Sequence, residues 1–144
     1  MWRKNIENVY IYIYTDGSKE QATGVTAAAV VVPIYNRTIS RRTSDHLSVY
    51  AVELCAILLA IEWMEGVRNR RIVICSDSFS SLLSIKNGTA KTHQQILYEI
   101  QLKISRLTLQ GREIVFMRVW KEINKQWNQY WKNQGKGRHL YKLQ

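Results

Sequence analysis

Three acidic residues sit where the surrounding sequence is least hospitable to charge. Asp16 closes the apolar, strand-like run Val9-Tyr10-Ile11-Tyr12-Ile13-Tyr14-Thr15. Glu53 is the only charged residue in the eleven-residue run Ala51-Val52-Glu53-Leu54-Cys55-Ala56-Ile57-Leu58-Leu59-Ala60-Ile61. Asp77 follows a second apolar run, Ile72-Val73-Ile74-Cys75. Burying a carboxylate is costly, and of several together some stay protonated unless a cation compensates. A compact set of hard oxygen ligands suits Mg²⁺ or Mn²⁺, so the chemistry these residues support is divalent-cation binding. Each acid also has a plain structural reading. Asp16 precedes Gly17, and Asp-Gly is a common turn pair. Asp77 or Ser76 can cap a following helix. Glu53 can sit in a first helical turn, near the positive end of the dipole. A shared site accounts for all three at once, because strand ends and a central helix can converge at one edge of a sheet.

The elements that must position these acids follow from the residue pattern. Val9 to Thr15 is β-branched and aromatic, a strand running into a turn at Asp16-Gly17-Ser18. Thr23 to Val32 reads as a second strand closed by Pro33, and Thr38 to Thr43 as a third. Short connections make these an antiparallel meander. The period then changes: Val49, Val52, Ala56, Leu59 and Trp63 recur at helical spacing, with Ser48 as N-cap and Gly66 as stop. Arg71 to Cys75 is a strand, Phe79 to Ile85 a short helix stopped by Asn87-Gly88, and Gln94 to Leu109 an amphipathic helix ended by Gly111. The apolar side of that helix carries Ile96, Leu97, Ile100, Ile104 and Leu107. Glu113 to Val119 is a fifth strand, and Lys121 to Lys132 is helical in pattern but mostly polar. Strands alternating with helices after a meander require an α/β fold with a five-stranded mixed sheet flanked by helices.

In this setting Tyr14-Thr15-Asp16-Gly17-Ser18, Ala51-Val52-Glu53-Leu54 within a helix, and Ser76-Asp77-Ser78 after a strand together resemble the type one ribonuclease H pattern. The order Asp, Glu, Asp and the element carrying each also match. The resemblance covers residues 8–119 and is closest to the ribonuclease H domain of non-LTR retrotransposon polyproteins, which would leave residues 120–144 as a basic, Trp-rich helical tail. It implies that Asp16, Glu53 and Asp77 are catalytic residues and metal ligands. It further implies Mg²⁺ as cofactor, with Mn²⁺ as substitute, and endonucleolytic hydrolysis of the RNA strand of RNA–DNA hybrids by two metal ions. Gly17, Ser18 and Ser78 are the implied contacts to the nucleic acid. One departure stands out. The family's last strand leads into a loop with His and Gly, then a helix bearing a fourth Asp. Here Val119-Trp120 runs into Lys121-Glu122-Ile123-Asn124-Lys125, and no Asp follows Asp77. The later carboxylates are Glu99, Glu113 and Glu122.

Composition narrows the classes. A chain of 144 residues suits one domain, and 46% apolar with 22% charged residues is a globular balance. No apolar run approaches the ~18 residues that span a bilayer. Met1-Trp2-Arg3-Lys4-Asn5 has no apolar signal core, and Cys55 and Cys75 lie in apolar runs, so free thiols in a reducing, intracellular setting are expected. The net charge of +10 is uneven. Residues 1–100 hold 11 Lys and Arg against 9 Asp and Glu, a net of +2, whereas residues 101–144 hold 10 against 2, a net of +8. That asymmetry points to a polyanionic partner, most simply nucleic acid bound through the basic C-terminal segment. Two function classes follow: a hybrid-specific, metal-dependent endonuclease, and a catalytically inactive remnant that keeps the fold and binds nucleic acid. A transposase would place its Glu last among the three acids, and a proofreading-type exonuclease would carry Asp-x-Glu in the first strand. An α/β interaction module would use the acids only in turns and caps.

Overall fold

The computed structural model describes residues 9–120. Their strands are β1 (Tyr10–Lys19), β2 (Thr26–Val32), β3 (Arg37–Arg42), β4 (Arg71–Ser76) and β5 (Glu113–Arg118). The helices are α1 (Val49–Glu65), α2 (Phe79–Asn87) and α3 (Gln94–Leu109). One sheet holds the strands in the order β3-β2-β1-β4-β5. β1, β2 and β3 pair antiparallel, and β1, β4 and β5 pair parallel. Among the described residues this is the expected five-stranded mixed sheet, flanked by three helices. The helical pattern over residues 121–132 lies outside the described residues.

The local chemistry explains most element boundaries. Pro33 ends β2 and opens a 3-10 turn, Pro33–Tyr35, which Asn36 closes in the left-handed region at φ 54°. Ser48 caps α1, its hydroxyl accepting from the Ala51 amide at 3.1 Å, and Gly66 ends that helix. α2 continues two residues past Ile85 to Asn87, because the left-handed stop is Gly88 at φ 73°. β2 starts at Thr26, not Thr23, and β5 stops one residue short of Val119.

The core lies between the sheet and the helices. Ile11 and Ile13 of β1, Ala28, Val30 and Val32 of β2, and Ile72 and Ile74 of β4 present one face. Leu54, Ile57, Ile61 and Met64 of α1 pack on it, together with Ile100 and Leu107 of α3. Leu82 and Ile85 of α2 flank the same cluster. Because α1 is apolar almost all round, ten of its residues are buried, Glu53 among them. On the opposite face Tyr14 packs with Val73, Cys75 and Val119, while Tyr10, Tyr12, Val115 and Met117 are exposed. Among the described residues the helices thus lie on one side of the sheet. No helix among them is long and apolar enough to cross a membrane.

Candidate metal centre

Register brings the two aspartates together. β1 and β4 run parallel with Tyr14 opposite Cys75, so two residues further along, Asp16 falls beside Asp77. Thr15, fully buried, donates its hydroxyl to the Cys75 carbonyl at 2.9 Å and ties the two strands where the acids emerge. The only trace of this role in the sequence is a polar residue at an inward-facing position of β1. The turn reading of Asp16-Gly17-Ser18 is corrected here. β1 does not end at Thr15 but runs through all three residues, with Asp16 opposite Ala29, Gly17 opposite Ala28 and Ser18 opposite Ala27. The chain reverses later, at Gly24, whose φ of +74° lies in the left-handed region that glycine adopts without steric cost. Asp16 is therefore held in a paired strand, which fixes its position far better than a turn would.

Gly17 brings the third acid into reach. A Cβ placed on it would lie 2.8 Å from the Glu53 amide nitrogen and 2.8 Å from the Val52 carbonyl carbon. Helix α1 thus crosses β1 in direct backbone contact, and only glycine permits that approach. Glu53, 4% exposed, is carried on the helix at this crossing. One carboxylate oxygen from each of Asp16, Glu53 and Asp77 lies within 4.8 Å of the other two. Asp16 and Asp77 are partly exposed and Glu53 is buried, so the cluster opens to solvent where β4 ends beside β1.

The capping alternative for Asp77 is not realised. Ser78 caps α2, accepting from the Ser81 amide at 3.3 Å and sharing a hydrogen bond with the Ser81 hydroxyl at 2.7 Å. Ser76 accepts from the Ser78 amide at 3.1 Å. Asp77 lies between these two serines and takes no part in the cap. Likewise Glu53 is the fifth residue of α1, beyond the first turn where it would serve the helix dipole. The Ser18 hydroxyl donates to the Ala27 carbonyl at 3.4 Å, within the β1–β2 ladder. Gly17, Ser18 and Ser78 thus all do structural work around the acids.

Neither of the other described late carboxylates reaches the cluster's edge. Glu113 begins β5, at the opposite end of the parallel strands, where it accepts from the Tyr10 hydroxyl at 2.9 Å and lies 3.8 Å from Arg71. Glu99 is an exposed residue of α3. Among the described residues the site has three carboxylates. Three anionic oxygen ligands at this spacing form a donor set that fits a hard divalent cation.

Comparison with known proteins bears on the family and the fold. The RNase H family model matches residues 8–136, extending past the strand that ends the described sheet. Among curated protein sequences none matches. Solved structures do: RNase H1 of the halophilic archaeon Halobacterium salinarum aligns at 16% identity with a TM-score of 0.59, over 81% of this chain and 90% of that one. LC11-RNase H1, solved in complex with an RNA/DNA hybrid, aligns at 21% identity and TM-score 0.60, over 79% and 88%. The N-terminal RNase H domain of a Mycobacterium tuberculosis protein, solved as a fusion with maltose-binding protein, aligns at 15% and 0.60, over 82% and 87%. At these identities the structures speak to the fold alone. The family match spans most of the chain and includes all three acids, so this protein belongs to the RNase H family.

Proposed function

We propose that the chain hydrolyses the RNA strand of RNA–DNA hybrids endonucleolytically, with Mg²⁺ or Mn²⁺ held by Asp16, Glu53 and Asp77. The convergence of the three carboxylate groups within 4.8 Å, in a chain of this family, carries the reading. A neighbour of the same fold was solved with an RNA/DNA hybrid bound. When bound, a pair of such ions supplies an activated water and stabilises the departing oxygen. The chain's own residues supply placement. Thr15 and the β1–β4 ladder fix the spacing of Asp16 and Asp77. Gly17 lets α1 deliver Glu53, whose burial keeps one ligand in a water-poor environment.

A second reading has its own observation. The described site holds three carboxylates, and the sequence has no Asp after Asp77. Glu122, the remaining late acid, lies outside the described residues. On this reading the protein is a weakened or inactive member that binds nucleic acid, with the basic 101–144 segment contributing affinity. An end-labelled RNA–DNA hybrid incubated with Mg²⁺ or Mn²⁺, beside single-stranded RNA and an Asp77→Asn control, separates the two. Hybrid-only cleavage abolished by Asp77→Asn establishes the nuclease. Salt-sensitive binding without cleavage by the folded protein establishes the remnant.

A further inference from the structure

Beside the metal centre lies a group of side chains that neither the acids nor the core uses. Arg118 ends β5 and pairs in register with Ser76, the residue before Asp77. Its guanidinium lies 4.9 Å from the centroid of the Phe79 ring and 5.8 Å from that of Trp120. Phe79 is two residues past Asp77, at the first position of α2. Both rings are open to solvent: Phe79 is 53% and Trp120 70% exposed. Arg118 is exposed and makes no ion pair among the described residues. Two large exposed rings around an unneutralised cation are poor solvation for a monomer surface and good chemistry for a polyanion with apolar faces.

We propose that Phe79, Arg118 and Trp120 form a platform for the nucleic-acid strand beside the cleavage site. Arg118 holds a backbone phosphate, and the two rings pack against the sugars next to it. The proposal rests on the hybrid-binding reading above. Its occupant follows from charge and position. The platform is cationic, it adjoins a carboxylate cluster suited to a divalent metal, and the chain as a whole carries +10. An RNA-containing duplex presents a wide, shallow minor groove lined by sugars, the surface that flat exposed rings can meet without reading sequence. Phosphate contacts from a guanidinium fix register, and so would place the scissile bond relative to Asp77.

The test is hybrid binding by fluorescence anisotropy over a salt series, in Ca²⁺ so that the hybrid stays whole. The full chain is compared with Arg118→Ala, Phe79→Ala and Trp120→Leu. Arg37→Ala on β3, at the far edge of the sheet, is the charge-matched control. Thermal melts check that each variant is folded. We expect Arg118→Ala to lower the slope of log affinity against log salt by about one, the signature of one lost phosphate contact. Phe79→Ala and Trp120→Leu should weaken binding several-fold with the slope kept. Arg118→Lys should restore the slope. If Arg118→Ala matches Arg37→Ala while the wild type binds hybrid well, the platform is refuted and the hybrid reading stands. If the wild type shows no salt-sensitive hybrid binding at all, both fall.

Discussion

Replacing Asp77 by Asn tests the metal centre through stability, independently of catalysis. Asp77 faces two other carboxylates, with oxygens within 4.8 Å. At that distance a pair of like charges repels by about 0.9 kcal/mol at the dielectric of water and about 3.5 kcal/mol at an effective dielectric near 20. Asp16 and Asp77 are partly exposed, so the lower part of that range applies, and relief of about 1–2 kcal/mol is expected when Asp77 is neutralised. For a chain of this size that raises the apo melting temperature by roughly 3–6 °C. The wild type should respond oppositely to metal. A cation present at about 100 times its Kd stabilises by about 2.7 kcal/mol, and the Asn variant should lose most of that gain. Calorimetry or circular-dichroism melts in EDTA and in Mg²⁺ give all four numbers. Low ionic strength sharpens the apo difference, because salt screens it. If Asp77→Asn melts below the wild type in EDTA, and Mg²⁺ shifts both alike, the acids are structural and the metal assignment is wrong.

Other outcomes follow from the same contacts. Gly17→Ala forces α1 and β1 apart, since the new Cβ meets backbone at 2.8 Å. We expect a loss of about 1–3 kcal/mol in urea unfolding and a fall in hybrid cleavage beyond what that destabilisation explains. Ser78→Ala removes the α2 cap and should cost about 1 kcal/mol; hybrid affinity measured on the same variant shows whether Ser78 also touches nucleic acid. Burial pushes the Cys75 thiol up to about 12 from an ordinary value of 9.0. The folded thiol therefore keeps its proton while the unfolded one ionises, so this contribution to stability is complete below pH 9 and is lost as pH rises toward 12. Denaturant melts across that window should show it, and Cys75→Ala should flatten it. Iodoacetamide at neutral pH should label Cys75 only after unfolding.

Much of this protein is legible in its sequence because the determining physics is local. The change from alternating to helical period marks α1, and Ser48 and Gly66 mark its ends. The amphipathic stripe of α3 fixes its limits at Gln94 and Leu109. The misfit of Asp16, Glu53 and Asp77 in apolar surroundings singles them out without a coordinate. What the sequence left open was decided by contacts between distant segments. Asp-Gly reads as a turn until β2 supplies a ladder partner for Asp16, Gly17 and Ser18. Either Asp77 or a neighbouring serine satisfies a cap pattern, and only the packed geometry gives that task to Ser78. The parallel register of β1 against β4 sets Asp16 beside Asp77 across sixty-one positions of sequence. The bare backbone of Gly17 against Val52 and Glu53 then sets how closely the helix, and with it the third acid, can approach. Periodicity and capping act over one or two turns of chain, so they name the acids and the elements that bear them. Distances between acids depend on strand register and helix–sheet contact, which exist only once the core has closed.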